Sequence, residues 1–118
     1  MHELALSESI VDAVLSAEQV KGRRLRVLAV EVGALSSVNV DTLEFCLRLV
    51  LEQRGHEGVQ TRITSAPALL QCRCGARYQT EDIYTPCPEC GGWERDVVSG
   101  TDVRVQYVEV DEHEQDRT

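Results

Sequence analysis

The chain has 118 residues, of which 42% are hydrophobic and only 4% aromatic, and its net charge is −8. That length suits one domain, or one domain with a small satellite, and its core must be built from Leu, Val, Ile and Ala. A single lysine, Lys21, and the acidic balance exclude a protein that grips phosphate backbones through clustered basic side chains; no apolar run reaches the length of a transmembrane helix.

Residues 3–20 are predicted helical, with Leu6, Ile10, Ala13, Val14 and Ala17 on one face and Leu4, Val11 and Leu15 as a second ridge. Gly22 is the expected stop after it. Residues 24–33 read as a strand that is apolar on both faces, hence central in its sheet. Residues 40–54 read as a second helix whose buried stripe is Leu43, Cys46, Leu47 and Val50. Asp41 and Glu44 have the spacing of a capping box at its start, with Asn39 as the competing cap. Residues 58–65 alternate as a half-buried strand, with Val59, Thr61 and Ile63 inward. From 68 to 100 cysteines, glycines and prolines replace any helical period. A last strand spans 102–110, with Val103, Val105 and Tyr107 on one side and Arg104 and Gln106 on the other.

This order implies an α+β fold: two helices packed on a three-stranded sheet, with an inserted zinc-ribbon-like module. The last strand returns to the first sheet, so residues 1–66 plus 101–112 form one domain, 67–100 a second, and 113–118 a disordered acidic tail.

Five cysteines occur, an odd number that fits a disulfide framework poorly. Cys87-Pro88-Glu89-Cys90-Gly91 is a knuckle that puts two thiolates on a tight turn. Cys72-Arg73-Cys74-Gly75 supplies the second pair, with twelve residues between Cys74 and Cys87. Four thiolates at Cys72, Cys74, Cys87 and Cys90 suit tetrahedral Zn(II), and with every position filled by protein the site is structural. The Cys72 spacing is irregular, because a knuckle ordinarily has two residues between its cysteines. Cys46 lies on the apolar stripe of the second helix and reads as a small buried hydrophobe.

Only His2, His56 and His113 are histidines. Position 2 offers the amine of Met1, the backbone nitrogens of His2 and Glu3, and the His2 imidazole as a planar nitrogen set for Ni(II) or Cu(II). Read from the residues alone, a histidine at position 2 is more often an ordinary solvated terminal residue than a ligand. His56 falls in a turn between glycines and His113 in the acidic tail.

Met1-His2-Glu3-Leu4, Ile10, Gly33-Ala34-Leu35, Val38, Leu43 and Phe45, followed by the late four-cysteine module, resemble the HypA/HybF family over almost the whole chain, to about residue 110. The resemblance implies a nickel metallochaperone for [NiFe]-hydrogenase maturation, in some organisms serving urease as well. Its implied nickel site is Met1, His2 and Glu3, and its implied structural zinc ligands are Cys72, Cys74, Cys87 and Cys90. It implies delivery to the hydrogenase large subunit with a partner GTPase, and no catalysis by this chain. Two features depart from the family: the single residue inside the first cysteine pair, and a cysteine module without histidine. The competing reading is a zinc-ribbon protein- or nucleic-acid-binding module. Against it, residues 66–100 carry three arginines and five acids, and no basic stripe. An enzyme is disfavoured, since no nucleophile–base pair or phosphate-cradling loop stands out. With acids where a leader peptide needs positive charge, the expected address is cytoplasmic, as a monomer or homodimer with no nucleic-acid or membrane partner.

Overall fold

The computed structural model describes residues 2–111; Met1 and the tail expected to be disordered lie outside the described residues. The elements run α1 (His2–Ser16), β1 (Arg24–Gly33), α2 (Val40–Gln53), β2 (Gln60–Ala66), β3 (Ala68–Cys72), β4 (Arg77–Thr80), β5 (Arg95–Ser99) and β6 (Val103–Asp111). The strands form two three-stranded sheets, ordered β2-β1-β6 and β4-β3-β5. The last strand therefore does return to the first sheet, and β1 is its centre.

The chain divides into two compact units. The first gathers residues 2–30, 38–63 and 104–111 of the described chain. Its core is aliphatic, as the scarcity of aromatics requires: Ile10, Val11 and Val14 of α1, Leu25, Val27, Leu28 and Val30 of β1, and Leu43, Leu47, Val50 and Leu51 of α2 are all buried. Both faces of β1 lack exposed apolar groups because a central strand is covered twice. The helices run side by side in the same direction, pinned at both ends. Near the start, the Glu3 carboxylate accepts the Asn39 backbone N–H at 3.0 Å. Near the finish, the Arg54 guanidinium donates to both oxygens of Asp12, at 2.9 and 3.2 Å.

Helix boundaries shift where local chemistry intervenes. α1 ends at Ser16 instead of continuing to 20, and the Ser16 hydroxyl donates back to the Asp12 carbonyl at 2.7 Å. The chain then closes through turns, with the Val20 and Lys21 N–H groups both returning to the Ala17 carbonyl. The inward face of α1 is Ser7, Ile10, Val11 and Val14, while Ala13 and Leu4 face out. α2 is capped by Asn39, whose Oδ1 accepts the Thr42 N–H at 2.9 Å, and not by Asp41. Glu44, the other half of the supposed capping box, turns instead to Arg48 and to the Thr61 hydroxyl. After Arg54, the Gly55 and His56 N–H groups bond the Glu52 and Leu51 carbonyls and close the helix. β6 also differs in phase: Val105 and Tyr107 are exposed, and Val108 and Val110 are the half-buried residues toward its end. Tyr107 uses its exposure to accept a hydrogen bond from Arg62 at 2.7 Å.

The second unit comprises residues 31–37 and 64–103. β3 is its central strand, antiparallel to β4 and β5. Leu70 stands opposite Tyr78 and Val97, Cys72 opposite Arg95, and the β3–β5 register slips between Leu69 and Leu70. Residues 31–37 belong here through backbone bonds: Gly33 N–H to Asp102, Ala34 N–H to Ala66, and Leu35 N–H to Gly100. The approach at Gly33 is so close that a Cβ there would collide with the Gly100 carbonyl. Leu35 and Ala76 pack against the buried cluster of Leu70, Cys72, Tyr78 and Cys87. Among the described residues no helix is long and apolar enough to cross a membrane.

Candidate metal centre

Two knuckles face each other in the second unit. In the later one, the Gly91 N–H returns to the Cys87 carbonyl at 2.8 Å, closing the turn. The Glu89 N–H points at the Cys87 sulfur at 3.4 Å and the Gly92 N–H at the Cys90 sulfur at 3.3 Å. In the earlier one, Cys72 is the last residue of β3 and opens the turn, its carbonyl accepting the Gly75 N–H at 2.9 Å, so strand pairing and turn together set its position. Its N–H donates to the Ala76 carbonyl, and Gly75 takes φ +98 to carry the chain from strand to strand. That placement accommodates the irregular spacing: Cys72 reaches the cluster from a strand end, and Cys74 is carried on the turn that follows.

The four sulfurs of Cys72, Cys74, Cys87 and Cys90 all lie within 4.8 Å of one another. Cys72 and Cys90 are 3.5 Å apart, and Cys74 and Cys87 3.8 Å. A tetrahedron with metal–sulfur arms of ~2.3 Å has edges of ~3.8 Å, close to both of these separations, so the donor set has the size and chemistry that zinc needs. Two of the cysteines, Cys72 and Cys87, are buried and two are exposed, which leaves the cluster at the unit's surface.

Electrostatics point the same way. The Cys90 N–H, then the Glu89 N–H, lower the Cys87 thiol to about 7 against the cost of burial. At Cys90 the Gly92 N–H acts downward, but the neighbouring Cys72 and Cys74 sulfurs outweigh it and push the thiol up to about 12. Cys74 is likewise raised: the Ala76 N–H lowers it, and the Cys72 sulfur, burial and the Cys87 sulfur together prevail. The Cys87 thiolate forms readily, and Cys74 and Cys90 resist ionising beside it. A dication among the four removes that conflict.

Arg95 locks the unit around this cluster. From β5 it donates to the Tyr78 hydroxyl at 3.0 Å and to the Thr85 and Ile83 carbonyls, and its guanidinium lies 5.3 Å from the centre of the Trp93 ring. Sequence reasoning registers Arg95 only as one charge among several, because its partners are distant in the chain.

The second predicted site sits at the start of α1, in the first unit. His2 opens the helix with an exposed side chain, 3.6 Å from the Glu3 carboxylate. The Asn39 N–H above all holds the Glu3 carboxyl below the usual carboxylate range. Met1 lies outside the described residues, as does His113. His56 is half-buried in the turn after α2, and Cys46 is buried on the α2 stripe; neither joins the cysteine cluster.

Comparison with known proteins gives a consistent result. The family described as hydrogenase/urease nickel incorporation metallochaperone, HypA, matches residues 1–110. The hydrogenase maturation factor HypA of Geotalea uraniireducens is 36% identical over 112 residues, covering 94% of this chain and all of that protein. HypA 2 of Bradyrhizobium diazoefficiens is 35% identical over 115 residues, with the same coverage. The solution structure of the nickel metallochaperone HypA from Helicobacter pylori superposes with a TM-score of 0.65 at 15% identity, covering 92% of this chain and 96% of that one.

Proposed function

This chain belongs to the HypA family of nickel-incorporation metallochaperones, and we propose that it binds Ni(II) at its own N-terminus and hands it to a hydrogenase under maturation. It is a carrier and not a catalyst. The observation that carries the reading is the start of α1 at His2. The first amides of an α-helix have no carbonyl partner within the helix, so the His2 and Glu3 nitrogens stand free of the helical ladder where the cargo binds.

Chain connectivity sets how the cargo is held. The Met1 amine and the His2 amide nitrogen close a five-membered ring on the metal. The His2 amide and its own imidazole Nδ1 close a six-membered one. The Glu3 amide would close a further five-membered ring on the same His2 nitrogen. A square plane gives that nitrogen only two adjacent corners, so the planar set of four read from the sequence cannot form as a whole. The Met1 amine and His2 imidazole flank it, and the Glu3 amide replaces the amine when it binds instead of joining it. The corner opposite the His2 nitrogen is left to an exchangeable donor, water or a group of the receiving protein, and ligand exchange at that corner begins transfer. Glu3 also serves through its carboxylate, whose bond to the Asn39 N–H ties the start of α1 to the start of α2.

Cys72, Cys74, Cys87 and Cys90 hold zinc, which supplies no chemistry beyond tying two knuckles together. The cargo goes to the hydrogenase large subunit with the help of a partner GTPase that supplies nucleotide hydrolysis, and urease is a second possible recipient. The protein works in the cytoplasm, as a monomer or homodimer. Calorimetric titration of Ni(II) into the His2→Ala variant tests the cargo site: nickel binding is expected to be lost with zinc retained, and unchanged stoichiometry and affinity would reject it.

A further inference from the structure

We propose that the loop of residues 81–85, together with Trp93, is a docking surface for a basic protein segment that presents apolar side chains. Three large apolar residues stand out of the second unit here: Ile83 is 55% exposed, Tyr84 77% and Trp93 58%. The loop and Trp93 are tied to one side chain, because the Arg95 guanidinium meets the Trp93 ring, the Ile83 carbonyl and the Thr85 carbonyl at once. The cysteine cluster does not use them, and the nickel reading gives them no task.

The loop that displays them is stiff. The Asp82 carboxylate accepts the Tyr84 N–H at 2.8 Å and the Thr85 hydroxyl at 3.1 Å. The Thr80 hydroxyl donates to the Asp82 carbonyl and accepts the Asp82 N–H. A loop that is ordered beforehand loses little entropy when a partner docks, and exposed Tyr and Trp beside an apolar Ile are the side chains that anchor protein interfaces.

The surrounding charge selects the partner. Between residues 81 and 96 the chain carries Glu81, Asp82, Glu89, Glu94 and Asp96, all exposed; Glu94 pairs with Arg73 at 3.5 Å, and the one basic residue of the stretch, Arg95, is occupied within the unit. Such a rim attracts basic side chains and repels nucleic acid, anionic bilayers and a second copy of a chain whose own net charge is −8. Apolar anchors inside an acidic rim fit a segment with the opposite pattern.

Trp93 is the only tryptophan, so its emission reports this surface directly. The full-length, zinc-loaded protein is titrated with two synthetic amphipathic helical peptides that share their leucines, one carrying lysines and the other glutamates. The lysine peptide is expected to shift Trp93 emission to the blue and to saturate. Ile83→Ser combined with Tyr84→Ser should weaken it about tenfold or more, with zinc content and nickel stoichiometry unchanged. Four results overturn the proposal: no saturable binding, equal binding of the glutamate peptide, wild-type affinity in the double variant, or a Trp93 shift produced by phosphatidylglycerol vesicles or by self-association in place of the peptide. Should the double variant lose zinc, Tyr84→Ser alone is measured, and wild-type affinity there overturns the proposal. Because His2→Ala leaves this surface intact, failure here and failure of the nickel site are read separately.

Discussion

The two units of this protein solve the same problem with different materials. In the first, Leu28, Leu43, Leu47, Val30 and Val50 are buried completely, and polar contacts such as Glu3 with Asn39 and Asp12 with Arg54 fasten the rim. In the second, the buried cluster is Leu70 and Tyr78 with Cys72 and Cys87, so half of it is sulfur that also faces the other two cysteines. Where the first unit relies on apolar area, the second relies on four ligands and one arginine. A segment this small cannot bury enough hydrophobic surface to offset its lost chain entropy, and ligand bonds substitute for the missing core.

Removing the metal breaks the comparison most sharply. Binding energies of structural zinc in small domains are on the order of 10 kcal/mol, more than a cluster of four residues can replace. Chelation, or Cys87→Ser, should unfold β3, β4 and β5 while β1 and α2 persist. Hydrogen exchange resolved by residue reads this: amides around Leu70 and Tyr78 lose protection, and those around Leu28 and Leu47 keep it. Uniform loss, or none, would mean that the two units do not differ in what holds them.

A core truncation tests the other half. Leu47→Ala leaves a cavity in the aliphatic core and should cost about 2–5 kcal/mol in denaturant unfolding of the first unit. Zinc content should not change. Release of zinc by this variant would show that the cysteine unit leans on the first core after all. A smaller effect sharpens the same point at the helix rim. Asn39→Ala removes the side-chain cap from Thr42 but keeps the backbone N–H that Glu3 accepts. It should cost about 1 kcal/mol, visible as a lower melting temperature with nickel uptake unchanged.

How far the sequence discloses this architecture depends on whether the deciding contact is local. β1 was legible to its last residue, because a strand covered on both faces writes a continuous apolar run. The α2 stripe was legible because its 3.6-residue period is carried by Leu and Val. α1 was less so: Ser7 is buried and Ala13 exposed, and neither side chain is apolar enough to mark a face. At its true end the Ser16 hydroxyl bonds the Asp12 carbonyl and the chain passes into turns closed on Ala17. Alternation in β6 suggested one buried side where packing chose the other toward its end. The cysteine spacings brought out the cluster, but the sheet β4-β3-β5 that aims Cys72 into it, and the reach of Arg95 across ten and twelve residues to Thr85 and Ile83, depend on contacts no short window contains. Nothing in residues 31–37 marks them as part of the second unit; that follows from three backbone bonds to Ala66, Gly100 and Asp102.

The N-terminal cargo site is tested most directly by acetylating the Met1 amine and measuring bound metals at neutral pH beside the native chain. Acetylation removes the amine as a donor, while leaving His2, Glu3 and every cysteine in place. The account predicts one zinc in both proteins and weaker nickel binding by the acetylated chain, in which the Glu3 amide is left to take the place of the amine. Equal nickel affinity in the acetylated chain would contradict it.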